Sequence, residues 1–144
     1  MTSLVLRSTL AALACAATLV FASPSMAAMV NLKADLKASN EVPPNDSKGS
    51  GSLTATYDDA SKKLTWKGST TGLSGPATAA HFHAGESGKN GAVVVPITGA
   101  DKGAFEGSAT LTDAQAADML GGRWYVNIHT AANKGGEIRG QLAK

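Results

Sequence analysis

Cysteine is almost missing from this chain. Cys15 is the only one in 144 residues, and it sits inside the apolar run LAALACAATLVFA. Met1 and Arg7 precede that run and SPSMAAM follows it. A basic start, an apolar stretch of roughly a dozen residues and a small-x-small end predict a secretory signal peptide, cleaved after Ala27. The stretch is short for a bilayer span, and ALAC lacks the leucine three positions before cysteine that lipoprotein signals carry. Once residues 1–27 leave, residues 28–144 hold no disulfide, no thiol nucleophile and no thiolate ligand. A metal site would have to use imidazole, carboxylate or amide groups.

Other absences narrow the function further. Aromatic residues make up 5% of the chain, and loss of Arg7 leaves twelve basic residues against eleven acidic ones. Near-neutral balance with no basic cluster argues against a nucleic-acid surface. No run after residue 27 is apolar enough to suggest a transmembrane segment, so the expectation is an exported protein, periplasmic or secreted. A GxSxG elbow and a phosphate-binding loop are both absent, and no carboxylate pair stands out from the surface charge. Enzymatic activity has no positive support except through a redox metal.

What is present is alternation. VNLKADLK places Val30, Leu32, Ala34 and Leu36 on one side of a strand and Asn31, Lys33, Asp35 and Lys37 on the other. The prolines of NEVPPN mark a bend. GSLTATY and KLTWKGST form a hairpin about DDASK, and ATAAHFH and AVVVPI follow, joined by AGESGKNG with Asn90-Gly91 as a favourable tight turn. GAFEGSATL, RWYVNIH and GEIRGQL complete the strands. Only TDAQAADML breaks the period of two: Thr112 and Gln115 make a capping box and Gly121 supplies a stop, so one short helix is expected. Seven or eight short strands with one helical connection predict an all-β Greek-key sandwich or barrel forming a single domain over residues 28–144. Trp66, Trp124 and Phe105 are expected in the core.

Parity places the chemistry. His81 and His83 share one face of their strand, with Phe82 on the other. If Phe82, Val126, Ile128, Ile138 and Leu142 fill the core, then all three histidines of the chain, with Tyr125, Asn127, Glu137 and Arg139, occupy outward-facing positions. Neighbouring strands would gather them into one polar patch. Two histidines two residues apart on a strand have Cα atoms about 6.5 Å apart, close enough to meet one ion, and His129 would complete a three-nitrogen set suited to one copper or zinc ion. Glu137 or Asn127 would orient an imidazole. The metal site is the alternative to a leading expectation, a non-catalytic binding or envelope-associated surface for an unknown ligand; a hydrogen-bonded belt that pins the strands is the structural reading. Glu137 and Arg139 would form a lateral ion pair in the structural reading.

NEVPPN, TAAHFHAGESGKNGAVVVPI and the run from QAADML through GRWYVNIHTAANKGGEIRGQL, in this order, resemble the CHRD family, whose domain was first described in chordin and is widespread in exported bacterial proteins. The resemblance covers about residues 30–142. It implies an immunoglobulin-like or superoxide-dismutase-like β-barrel with no agreed biochemical function; in chordin, tandem copies belong to an extracellular protein that binds growth-factor ligands. The family's recurring positions fall on Glu41, Pro43, His81, His83, Gly91, Tyr125, Asn127, His129, Gly136, Glu137, Arg139 and Gly140. The histidine pattern also resembles the copper side of copper-zinc superoxide dismutases. This chain departs from them in lacking counterparts of the bridging histidine, the zinc ligands and the disulfide cysteines.

Overall fold

The computed structural model describes residues 28–144; the expected signal peptide, with Cys15, lies outside the described residues. The described residues form eight strands: β1 Met29–Lys37, β2 Ser50–Asp58, β3 Lys63–Thr71, β4 Ala77–Ala84, β5 Ala92–Pro96, β6 Ala104–Thr110, β7 Trp124–Thr130 and β8 Ile138–Gln141. The helix α1 spans Asp113–Leu120. All pairings are antiparallel, in the order β5-β4-β7-β8-β1-β2-β3-β6. β3 thus neighbours β6, and β4 neighbours β7, across long connections. This is a Greek-key path around a nearly closed all-β barrel.

The period-two pattern explains which side of each strand turns inward. Leu32, Ala34 and Leu36 of β1, Leu53, Ala55 and Tyr57 of β2, and Leu64 and Trp66 of β3 are all buried. Phe82 of β4 and Trp124, Val126 and Ile128 of β7 are fully buried opposite them. Trp66 meets Phe82 edge-on at 5.1 Å between ring centroids, and Phe82 meets Trp124 at 5.9 Å, so one aromatic chain ties the two halves of the barrel together. Phe105 joins the same core, as its strand parity predicts.

α1 begins as its sequence dictates. The Thr112 hydroxyl accepts from the Gln115 backbone N–H at 3.2 Å, and the Gln115 side chain accepts from the Thr112 N–H at 2.9 Å. These two bonds satisfy donors that a helix start leaves open.

Two connections cover the polar face of the sheet. The chain between β1 and β2, residues 38–49, and the β4–β5 loop, residues 85–91, both fold over the outside of β7 and β8. Asn40 donates to the Arg139 carbonyl at 3.1 Å, and Asn45 donates to the Glu137 carbonyl at 3.1 Å. β7 is consequently buried on both faces except at His129, which is part-exposed. Most of the outward-facing positions read from parity are therefore covered, not solvated: His83, Tyr125, Asn127, Glu137 and Arg139 are buried, while His81 and His129 are part-exposed. Alternation reports which face a side chain takes, while cover from distant loops decides whether that face meets water.

Candidate metal centre

β4 and β7 are direct neighbours, with Ala79 opposite His129, His81 opposite Asn127 and His83 opposite Tyr125. This register brings His129 diagonally against His81. The three histidines offer ligand nitrogens that all lie within 4.8 Å of one another. His81 Nδ1 and His129 Nε2 are 3.3 Å apart. Two ligands at about 2.0–2.1 Å from a tetrahedral ion are separated by about 3.3 Å, so this pair already has a metal-binding spacing. The 4.8 Å bound on the full set is looser than that spacing.

Backbone carbonyls fix the tautomers. His83 Nδ1 lies 2.9 Å from the Gly91 carbonyl and His129 Nδ1 lies 2.9 Å from the Lys134 carbonyl. A carbonyl only accepts, so each Nδ1 carries the proton and each Nε2 presents a lone pair. His81 Nδ1–H can then donate to His129 Nε2. His83 Nε2 is different: it is buried and has no hydrogen-bond partner among the described residues. A buried acceptor without a partner costs about 1–3 kcal/mol, and an ion would relieve that cost.

The electrostatics favour the neutral form of His81 and His83, which is the ligand state. Burial pushes the His83 imidazolium below its ordinary range; the Gly91 hydrogen bond raises it, and the charges of His129 and Arg139 lower it. For His81, burial again acts first, followed by the neighbouring His129 and His83.

Around the histidines the remaining predicted residues separate into two groups. Tyr125 belongs to the centre: its ring stacks on His83 at 4.7 Å and 9°, and its hydroxyl accepts from the Gly91 N–H at 3.1 Å. Arg139 lies over the opposite face of Tyr125, with the guanidinium carbon 3.4 Å from the ring centroid. Asn127 donates to Glu41 Oε1 at 2.8 Å and does not orient an imidazole.

Glu137 stands apart. It immediately precedes β8, and its carboxylate accepts from Ser47 Oγ at 2.6 Å, Ser74 Oγ at 2.5 Å, Thr130 Oγ1 at 2.5 Å and the Ser74 N–H at 2.7 Å. The lateral Glu137–Arg139 ion pair does not form: hydroxyls and the Ser74 N–H satisfy Glu137, while loop carbonyls and Asn90 Oδ1 satisfy Arg139. Main-chain oxygens orient His83 and His129, so neither Glu137 nor Asn127 takes that role.

Strand parity does not reveal Glu41, which lies in the β1–β2 connection. It is buried against Asn127, and a side chain at Gly136 would crowd its Oε1. Burial raises its carboxyl to about 7, against the opposing pull of Arg139, the Val42 N–H and Asn127. Its place among the recurring family positions is the only sequence signal for it. The Asn90-Gly91 pair reads in the sequence as a tight turn, but the turn closes instead from the Lys89 N–H to the Glu86 carbonyl. Gly91 is required by close approach, because a Cβ there would collide with the Ala84 carbonyl oxygen.

Fold and site together define an all-β Greek-key barrel domain with a three-histidine cluster on its β4–β7 face. The CHRD domain family model matches residues 32–142, and the chain belongs to that family. No curated protein and no solved structure matches it. Among the described residues, no helix is long and apolar enough to cross a membrane.

Proposed function

We propose that this protein is an exported, non-catalytic CHRD binding module whose ligand is a single copper or zinc ion. His81 Nδ1, His83 Nε2 and His129 Nε2 would be its ligands. The observation that carries this reading is His83: one ring nitrogen is held on the Gly91 carbonyl, and the other is buried without a partner and aimed among two further imidazoles. Of the three rings, only His81 would switch tautomer on loading, its proton moving from Nδ1 to Nε2. Three neutral nitrogens suit copper and zinc and leave a coordination position open. The part-exposed edges of His81 and His129 give an ion its route in from solvent. Export rests on the predicted signal over residues 1–27, and places the module in the periplasm or outside the cell.

The test is metal analysis and titration of the mature chain, prepared without a histidine tag. One equivalent of copper or zinc is expected, with His83→Ala and His129→Ala each weakening its binding. No binding at micromolar metal would overturn the reading.

A second reading is favoured by the His81–His129 contact, which at 3.3 Å also suits a hydrogen bond. In it the imidazoles pin β4 to β7 beneath a face that contacts an envelope or protein ligand. The same two substitutions would then lower stability whether or not metal is present.

A further inference from the structure

We infer that Arg139 is a positioning residue for the buried ligand His83, acting through the loop 85–91; this rests on the metal-binding function proposed for the three histidines. The path consists of contacts in sequence. Arg139 Nη2 donates to the Lys89 carbonyl at 2.5 Å and to the Glu86 carbonyl at 3.4 Å, while Nη1 donates to Asn90 Oδ1 at 3.1 Å. One planar guanidinium thus holds three oxygens of a single loop, a task suited to a fork of fixed N–H directions and not to a single ammonium. Asn90 also donates to the Val42 carbonyl at 2.9 Å. The loop so held ends at Gly91, whose N–H binds the Tyr125 hydroxyl and whose carbonyl receives His83 Nδ1–H.

Tyr125 fills the space between the two ends of this path. Its ring has Arg139 on one face and His83 on the other, so the guanidinium, phenol and imidazole form a single stack. Arg139 is itself 2% exposed, which fixes it as firmly as the rings it supports. Removing it frees the loop, and with the loop goes the carbonyl that selects the His83 tautomer. The tautomer then left to solvent is the one with the proton on Nε2, which cannot ligate through that atom. His129 is held by the Lys134 carbonyl on a different loop, so its tautomer is an internal control.

The experiment reads imidazole tautomers by nitrogen-15 NMR in the metal-free mature chain, then measures copper(II) and zinc(II) affinity in the same samples. Wild type is expected to show Nδ1–H at both His83 and His129. Arg139→Gln should move His83 toward Nε2–H with His129 unchanged, and lower metal affinity about 10- to 100-fold. Arg139→Lys, which keeps the charge without the fork, should restore little of either. Should Arg139→Gln fail to fold, Asn90→Ala removes one anchor from an exposed loop position and should shift His83 in the same direction by a smaller amount. His83 remaining Nδ1–H in a folded variant would overturn the inference, as would an equal shift at His129. Because the tautomer is read without metal, a protein that binds no ion contradicts the metal-binding reading while the NMR result still decides the role of Arg139.

Discussion

Glu137→Gln should destabilise the protein near neutral pH and abolish one part of its acid sensitivity. Burial alone would raise this carboxyl, but hydrogen bonds from the hydroxyls of Ser47, Ser74 and Thr130 and from the Ser74 N–H together prevail, and they hold it down at about 2. From an ordinary value of 4.5, that shift corresponds to about 2–3 kcal/mol. The sign follows from the direction. A carboxyl depressed in the folded state contributes stability that is fully present above about 4.5, the unfolded value, and is lost as pH falls toward about 2. Glutamine keeps the size of the side chain, yet it turns an amide N–H₂ toward donors. Urea unfolding across pH 2 to 7 should therefore show the variant less stable by about 2 kcal/mol at pH 7, with the difference shrinking below pH 4. The melting temperature should fall by about 5–10 °C at neutral pH. Equal stability at pH 7, or a constant difference down to pH 2, would refute the idea that these four donors hold a charge.

Glu41 should behave in the opposite sense. Its folded-state value is raised to about 7 by burial, so the stability linked to its neutral form is complete below about 4.5 and declines as pH rises through about 7. Glu41→Gln should flatten the stability profile between pH 4.5 and 7 and make the protein more stable at pH 8 by about 1–2 kcal/mol, the discounted worth of the shift; a variant whose pH profile matches wild type would contradict this. Gly91→Ala should be severe, because its Cβ would collide with the Ala84 carbonyl oxygen. Displacing the Gly91 carbonyl should lower thermal stability and weaken copper or zinc binding together, and a folded variant with unchanged affinity would show that this carbonyl does not set the His83 lone pair.

The fold was legible because its strands are two-sided in pattern. Leu53, Ala55 and Tyr57 alternate with serines and threonines, and Thr112 with Gln115 marks the start of α1. Parity likewise put His81 and His83 on one side of β4. The meeting with His129 required strand order, which arises when β7 returns beside β4, about fifty residues later in the chain. Least legible was the cover. Glu41 reaches Asn127 across 86 residues and Asn40 reaches Arg139 across 99, contacts that no local pattern encodes. For this reason the polar face reads as solvated in the sequence but is buried in the fold. Asn90 illustrates the same limit: with Gly91 it resembles a hairpin turn, whereas its amide spans between Val42 and Arg139.

Convergence of three imidazoles on one ion can be observed by X-ray absorption on the mature, untagged protein loaded with one equivalent of copper or zinc. Three imidazole nitrogens are expected at about 2.0–2.1 Å, falling to two in His83→Ala. A first shell of oxygen scatterers, or a spectrum unchanged by that substitution, would contradict a metal centre built from His81, His83 and His129.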